Sequence, residues 1–282
     1  MKFIVMGSGT SNGVPVIGCP CPVCASADER DKRTRASLYI KGNNGERIVI
    51  DTGPEFRLQA LSAGIKHLDF VLLTHSHADH LHGLDDLRPL SYIKPMQVYG
   101  NEQSINDVRE RFAYIWRKTQ KGGGKPRIDL QVASSQFSFE NITITPVPVR
   151  HGNMDVLGWK IRENTTPPDE TASINSPPFV EAAYITDCNF ISAESLNLLK
   201  NISCLIIGAP RAAPHETHFS FSEALETVKR IDSPLLRQVF FTHITDDWFH
   251  TQICEYCKRW REKNDMRQII VLPAFDGMEI SF

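Results

Sequence analysis

The stretch Phe70-Val71-Leu72-Leu73-Thr74-His75-Ser76-His77-Ala78-Asp79-His80 runs from four apolar residues into a loop holding three histidines and an aspartate. The apolar part predicts a buried strand. The loop after it can aim successive side chains in different directions. Imidazole and carboxylate are ligands suited to zinc, manganese or iron. One histidine in such a loop would read as an ordinary hydrogen-bonding residue, but this cluster points to metal. His75 and His77 can serve one ion, and Asp79 and His80 another.

One loop cannot close two coordination spheres, so donors from elsewhere are required. Three sit at the ends of strand-like segments: His151 after 147–149, Asp187 after Tyr184-Ile185-Thr186, and His243 after Phe240-Phe241-Thr242. Each alone reads as a strand-end hydrogen-bonding residue. Together they add two imidazoles and one carboxylate able to bridge two ions.

Working outward, strands are expected at 2–6, 37–40, 47–50, 142–145, 183–186, 204–207, 239–242 and 269–272, with a turn at 42–45. Helices are expected at 56–63, 105–116, 193–199, 222–231 and 247–263. Strands and helices alternate loosely, with hairpin-like pairs, which predicts two mixed sheets covered by helices. The segments 117–127 and 165–178 read as irregular surface loops. Gly7-Ser8-Gly9 after a strand invites a dinucleotide-binding reading. That fingerprint fails, because Asn12 stands where a third glycine belongs and Pro15, Pro20 and Pro22 break the helix it needs.

The bulk composition weighs against several classes. Across 282 residues the net charge is −2, so no global basic field attracts a nucleic-acid backbone. No stretch of about 18 apolar residues could span a bilayer, and the N-terminal apolar run is too short for a signal peptide. A cytoplasmic protein is expected. Seven cysteines without export signals argue for thiols or metal ligands rather than disulfides.

The order H-x-H-x-D-H, lone His, Asp, final His resembles the metallo-β-lactamase superfamily. That resemblance implies a four-layer αββα sandwich, here a single domain over residues 1–282, with two divalent ions at one edge. By its pattern the first ion takes His75, His77, His151 and Asp187. The second takes Asp79, His80, Asp187 and His243.

Further motifs narrow the branch: Gly7-Ser8-Gly9-Thr10-Ser11-x-Gly13-x-Pro15, Asp51-Thr52-Gly53-Pro54-Glu55-Phe56-Arg57, Gly83-Leu84-Asp85-Asp86-Leu87-Arg88, and Cys19-x-Cys21-x-x-Cys24. The combination looks like the PhnP-type branch, phosphodiesterases acting on cyclic phosphates of ribose or nucleosides. Three thiolates so close together can hold a structural zinc if a fourth ligand arrives from elsewhere. The family pattern often has a histidine three residues after the last catalytic histidine. This chain has Asp246 there, with Asp247, His250 and the pair Cys254 and Cys257 as other donors.

The resemblance implies hydrolysis by a hydroxide shared between two manganese or zinc ions, with Asp79 in the catalytic centre. His218, ahead of a helix, falls where the family carries a proton donor to the leaving oxygen, and His215 is the runner-up. Arg88 and the backbone amides of residues 8–10 are candidate phosphate contacts. The expected partner is a small phosphodiester or nucleotide; a homodimer is compatible with the sequence. The principal rival is a nuclease of the ribonuclease Z type acting on RNA or DNA, which needs a basic surface that this chain lacks apart from 117–127. A thioester or lactam hydrolase and a non-catalytic module that has kept the fold rank below it.

Overall fold

The computed structural model describes residues 1–118, 124–164 and 179–281. Residues 165–178 and the middle of 117–127, both expected as surface loops, lie outside the described residues.

Strand β1 (Lys2–Gly7) alternates its side chains between two apolar environments, and that alternation sets the layers. Phe3 and Val5 face one core while Ile4 and Met6 face another, and all four are buried. A strand buried on both faces must have cover on both. Joining β1 in one seven-stranded sheet are β2 (Ser37–Lys41), β3 (Arg47–Ile50), β4 (Phe70–Leu72), β5 (Met96–Gly100), β6 (Ile128–Val132) and β14 (Glu279–Ser281), in the order β14-β1-β2-β3-β4-β5-β6.

The second sheet holds β7 (Phe137–Phe139), β8 (Ile142–His151), β9 (Met154–Asn164), β10 (Phe179–Ile185), β11 (Cys204–Gly208), β12 (Gln238–Thr242) and β13 (Ile270–Pro273), in the order β13-β12-β11-β10-β9-β8-β7. The same alternation recurs there. Ala182, Tyr184, Cys204, Ile206 and Phe240 join Phe3, Ile40 and Phe70 in the core between the sheets. Ala183, Ile185, Leu205, Ile207 and Phe241 face outward to α4 (Ala193–Leu198), α5 (Phe221–Ile231) and α6 (His250–Lys263). Helices α1 (Phe56–Ser62) and α3 (Glu102–Arg111) cover the other sheet, packing Phe56 and Val108 against Ile4, Val49 and Val98; the short α2 (Ala78–Leu81) adds Leu81. The result is helix, sheet, sheet, helix, the metallo-β-lactamase sandwich.

Several expected elements shift for physical reasons. The helix expected at 105–116 begins earlier, because the Asn101 side chain accepts from the Ser104 amide at 2.8 Å and caps it. The strand expected at 142–145 continues to His151 through Pro146 and Pro148. Between Ile144 and Arg150, which bridges to Phe190, no strand among the described residues pairs with one flank of β8, so proline costs no ladder bond there.

Phe70 ties the layers together. Its ring meets those of Tyr99, Phe137 and Phe139 edge-on, with centroids 5.6, 6.0 and 5.3 Å away. Phe70→Ala is expected to lower unfolding free energy by about 3–5 kcal/mol, read as a shifted urea midpoint with an unchanged slope. A loss below about 1 kcal/mol would contradict this packing account.

Candidate metal-dependent active site

Strands β3, β4, β8, β10 and β12 end at one edge of the sandwich, and the histidine loop, His151, Asp187 and His243 sit at or just past those ends. After β3 comes Asp51; after β4, the histidine loop; β8 ends on His151; β10 is followed by Asp187 and β12 by His243. Asp51, Asp187 and His243 all have left-handed backbones, with φ of 63°, 45° and 60°. Each such residue costs about 1–3 kcal/mol unless its surroundings impose it, and such strain concentrates at functional sites.

The histidine rings form a continuous cluster. His75 lies 4.5 Å from His77 and 4.4 Å from His80, centroid to centroid, and His77 lies 5.2 Å from His151. Ligand-competent atoms of His75, His77 and His151 gather within 4.8 Å of one another, as do those of Asp79, His80 and His243. Asp187 lies between the two groups. Its carboxylate is 3.1 Å from His80 Nε2 and 3.3 Å from His243 Nε2. His218 joins from the loop before α5, its Nδ1 3.7 Å from Asp187 Oδ1 and its ring stacked on that of His243 at 5.1 Å.

This donor set fits divalent ions. His75 Nε2 and His80 Nε2 are buried without a hydrogen-bond partner, which is costly for an imidazole that holds no cation. His80 Nε2 is 3.2 Å from Asp79 Oδ2, and His243 Nε2 is 3.5 Å from the same oxygen. Ligands of one ion at about 2.1 Å stand roughly 3.0–3.4 Å apart, with no alignment toward each other. Charge tells the same story. Burial pushes the Asp187 carboxyl up, but the His243 and His80 rings outweigh it and hold the group well below the usual carboxylate range. Burial likewise pulls His80 down, and Asp187 and Asp51 more than reverse it. Positive charge is what these carboxylates require, and a divalent ion supplies it.

The remaining ring nitrogens are held by the protein. His151 Nδ1 donates to the Thr217 carbonyl at 2.8 Å, leaving Nε2 for the site. His80 Nδ1 donates to Asp51 Oδ2 at 2.8 Å. Asp51 is fully buried and also accepts from the Thr74 amide and hydroxyl, both at 2.8 Å. Sequence reasoning left Asp51 inside a motif without a role. The backbone explains its fixed place. A Cβ on Gly53 would meet the Asp79 carbonyl at 2.3 Å, and one on Gly83 would meet the Gly53 carbonyl at 2.1 Å. Only glycines let these two loops close on each other.

A second cluster lies nearby. The Cys19, Cys21 and Cys24 thiols converge on one oxygen, Asp246 Oδ2, at 3.3, 3.4 and 3.2 Å. A tetrahedral zinc bonded at about 2.3 Å to sulfur and 2.0–2.2 Å to oxygen has sulfur–oxygen edges of about 3.5 Å. Burial pushes the Cys24 thiol up to about 12, a cost that a coordinated metal removes by deprotonating the thiol. Among the described residues the cluster gathers Cys19, Cys21, Cys24 and Asp246 without Asp247, His250, Cys254 or Cys257, and Cys257 turns from α6 into the core.

The phosphate contacts expected from residues 8–10 are not available. The Ser8 amide donates to Asp276 at 2.8 Å, Gly9 to the Thr34 carbonyl at 2.8 Å and Thr10 to the Ile244 carbonyl at 3.2 Å. Arg88 is exposed and reaches the Gly124 carbonyl at 3.1 Å. Asp85 accepts a hydrogen bond from the Tyr114 hydroxyl.

Comparison with known proteins agrees with this architecture. The model of the beta-lactamase superfamily domain matches residues 46–244. The chain belongs to the metallo-β-lactamase superfamily. A solved diphosphatase of the PhnP family is 31% identical, with a TM-score of 0.79 over 100% of this chain and 97% of that one. That likeness places the chain in the PhnP family. The octanoyltransferase of Porphyromonas gingivalis is 38% identical over 86% of this chain. Ribonuclease Z of Bradyrhizobium diazoefficiens is 30% identical over 52% of it. The chain spans about half the length of these two curated relatives, 46% and 51%. Fold and donor set are those of a metal-dependent hydrolase of this superfamily.

Asp51→Asn would weaken the hold on His80 and is expected to reduce metal affinity about 10–100-fold, measured as metal retained after dialysis against a chelator. Retention equal to that of the unaltered protein would remove Asp51 from the site.

Proposed function

We propose that this chain, over residues 1–282, is a dinuclear metal-dependent phosphodiesterase that opens small cyclic phosphodiesters of ribose or nucleosides. The observation that carries the proposal is the convergence of two donor groups on Asp187 in a chain of the PhnP family. His75, His77, His151 and Asp187 would hold one ion, and Asp79, His80, Asp187 and His243 the other, with manganese and zinc both suited to such donors. Cys19, Cys21, Cys24 and Asp246 would hold a structural zinc. When bound, the paired ions supply Lewis acidity toward phosphate oxygens and a water of lowered pKa.

The protein's own residues do the rest. Asp187 and Asp79 draw positive charge into a buried cleft, where electrostatic attraction to a phosphate is strong. Burial pushes His218 down to about 3, so its ring meets the substrate neutral. Its Nδ1 lies toward Asp187, which leaves a bare Nε2 to take up the proton released by the attacking water and hand that proton to the departing sugar oxygen. A small substrate is favoured by the net charge of −2, which offers no long-range attraction to a polynucleotide. Among the described residues no helix is long and apolar enough to cross a membrane.

A panel of 2′,3′-cyclic nucleotides, cyclic ribose phosphates, linear diesters, diphosphate esters and structured RNA, assayed with manganese and with zinc, tests the proposal. Diphosphate esters belong in it because the PhnP-family neighbour is named a diphosphatase. The cyclic diesters are expected to give the highest kcat/KM. His218→Ala is expected to lower kcat on them by about 10²–10⁴-fold with metal content intact. Preference for RNA or for diphosphates would overturn the substrate assignment, and unchanged turnover would remove His218.

A further inference from the structure

The histidine loop does not stand alone: α3 touches both chain segments that carry the His75, His77 and His151 group. Ser76 lies between His75 and His77, and its side chain points the opposite way from theirs, toward α3. It is 2% exposed. Its hydroxyl donates to Asp107 and its carbonyl accepts from Arg111. Asp107 and Arg111 are one helical turn apart, 3.8 Å between charged atoms, and Gln103 donates to the other Asp107 oxygen at 2.8 Å. Both faces of the Ser76 unit are therefore held from one helix.

The other end of α3 reaches the His151 segment. Asn101 caps the helix through Oδ1, which accepts from the Ser104 amide at 2.8 Å. Its Nδ2 donates to the Asp155 carbonyl, also at 2.8 Å. Asp155 pairs with Arg150 in the β8–β9 hairpin, one step beyond the His151–Met154 pair. One rigid helix thus bonds to the segment of His75 and His77 and to the hairpin of His151.

We propose that α3 is a bracket for one metal position: Asn101, Ser76, Asp107 and Arg111 are positioning residues that preset the His75, His77 and His151 imidazoles before an ion arrives. The proposal rests on the reading of those three histidines as metal ligands. A loop ordered only by its ion must lose conformational entropy on binding, and a preset loop loses less. None of the four side chains needs to touch the ion.

The test is metal affinity of the full-length protein, measured by chelator competition and by the visible spectrum of the cobalt(II)-substituted form. Asp107→Ala releases Ser76 and Arg111. Asn101→Ser keeps a capping oxygen for α3 but removes the Nδ2 donor to Asp155. Each is expected to weaken binding about 10-fold, with an altered cobalt spectrum and an unchanged urea midpoint of the metal-free protein. Asp107→Asn, which still accepts from Ser76, is expected to recover most of the loss. Ser76→Ala combined with Asp107→Ala should be no weaker than Asp107→Ala alone. Affinities within about 2-fold of the unaltered protein for both Asp107→Ala and Asn101→Ser would overturn the bracket. If Asp107→Ala fails to fold, Asn101→Ser decides alone. Failure of the unaltered protein to bind metal outside its cysteine cluster would instead overturn the ligand reading itself.

Discussion

A buried carboxylate at the end of β10 governs this edge of the molecule. Asp187 is 2% exposed, surrounded by His80, His243 and His218, and sits on a left-handed backbone that a non-glycine residue rarely adopts. Removing a carboxylate from water is expensive unless positive charge or hydrogen bonds replace the solvent. Thr186 donates one hydrogen bond at 2.7 Å. The remaining demand falls on cations, and the histidine loop and the segments of His151, His218 and His243 converge there from both sheets. The sandwich makes this convergence possible, since strands of both sheets deliver chain ends to a common edge above three apolar layers.

Around that carboxylate the protein has arranged supports of graded distance. Asp51 and the Thr217 carbonyl fix the ring nitrogens that face away from the site. Behind them, Asp276 accepts from the amides and hydroxyls of both Ser8 and Thr34, at 2.6–2.8 Å. The Ile244 amide in turn donates to the Ser8 carbonyl at 2.9 Å, next to His243. The cysteine cluster closes on Asp246, three residues beyond His243, so the last histidine of the site is anchored from two directions. Function here belongs to the edge, and stability to the layers beneath it.

Much of this was legible in the sequence because the donors are chemically rare and closely spaced. His75, His77, Asp79 and His80 fall within one short loop after an apolar run, and His151, Asp187 and His243 each follow strand-like residues. What escaped was set by tertiary contact. Asp51 gives no local sign that it will receive His80 Nδ1, twenty-nine residues away. The amides of Ser8, Gly9 and Thr10 look free in a glycine loop, yet long-range partners take all three. Strands β5, β6, β7 and β9 mix polar residues among their apolar ones and lack the continuous apolar run that marked β4 and β11, and their pairing comes from neighbours already in the sheet. The prolines of β8 masked a ten-residue strand. For Asp246, the spacing from His243 suggested the partner of the three cysteines, while Asp247, His250, Cys254 and Cys257 stayed open until distances separated them.

The central claim is spatial, and anomalous diffraction tests it most directly. Crystals grown with zinc or manganese, with data collected on both sides of the metal absorption edge, locate each ion by element. The account predicts two ions at this edge, both within about 2.0–2.3 Å of a carboxylate oxygen of Asp187, one also bound by His75, His77 and His151, the other by Asp79, His80 and His243. An edge with no anomalous peak from a fully loaded protein, or ions that leave Asp187 untouched, would contradict it.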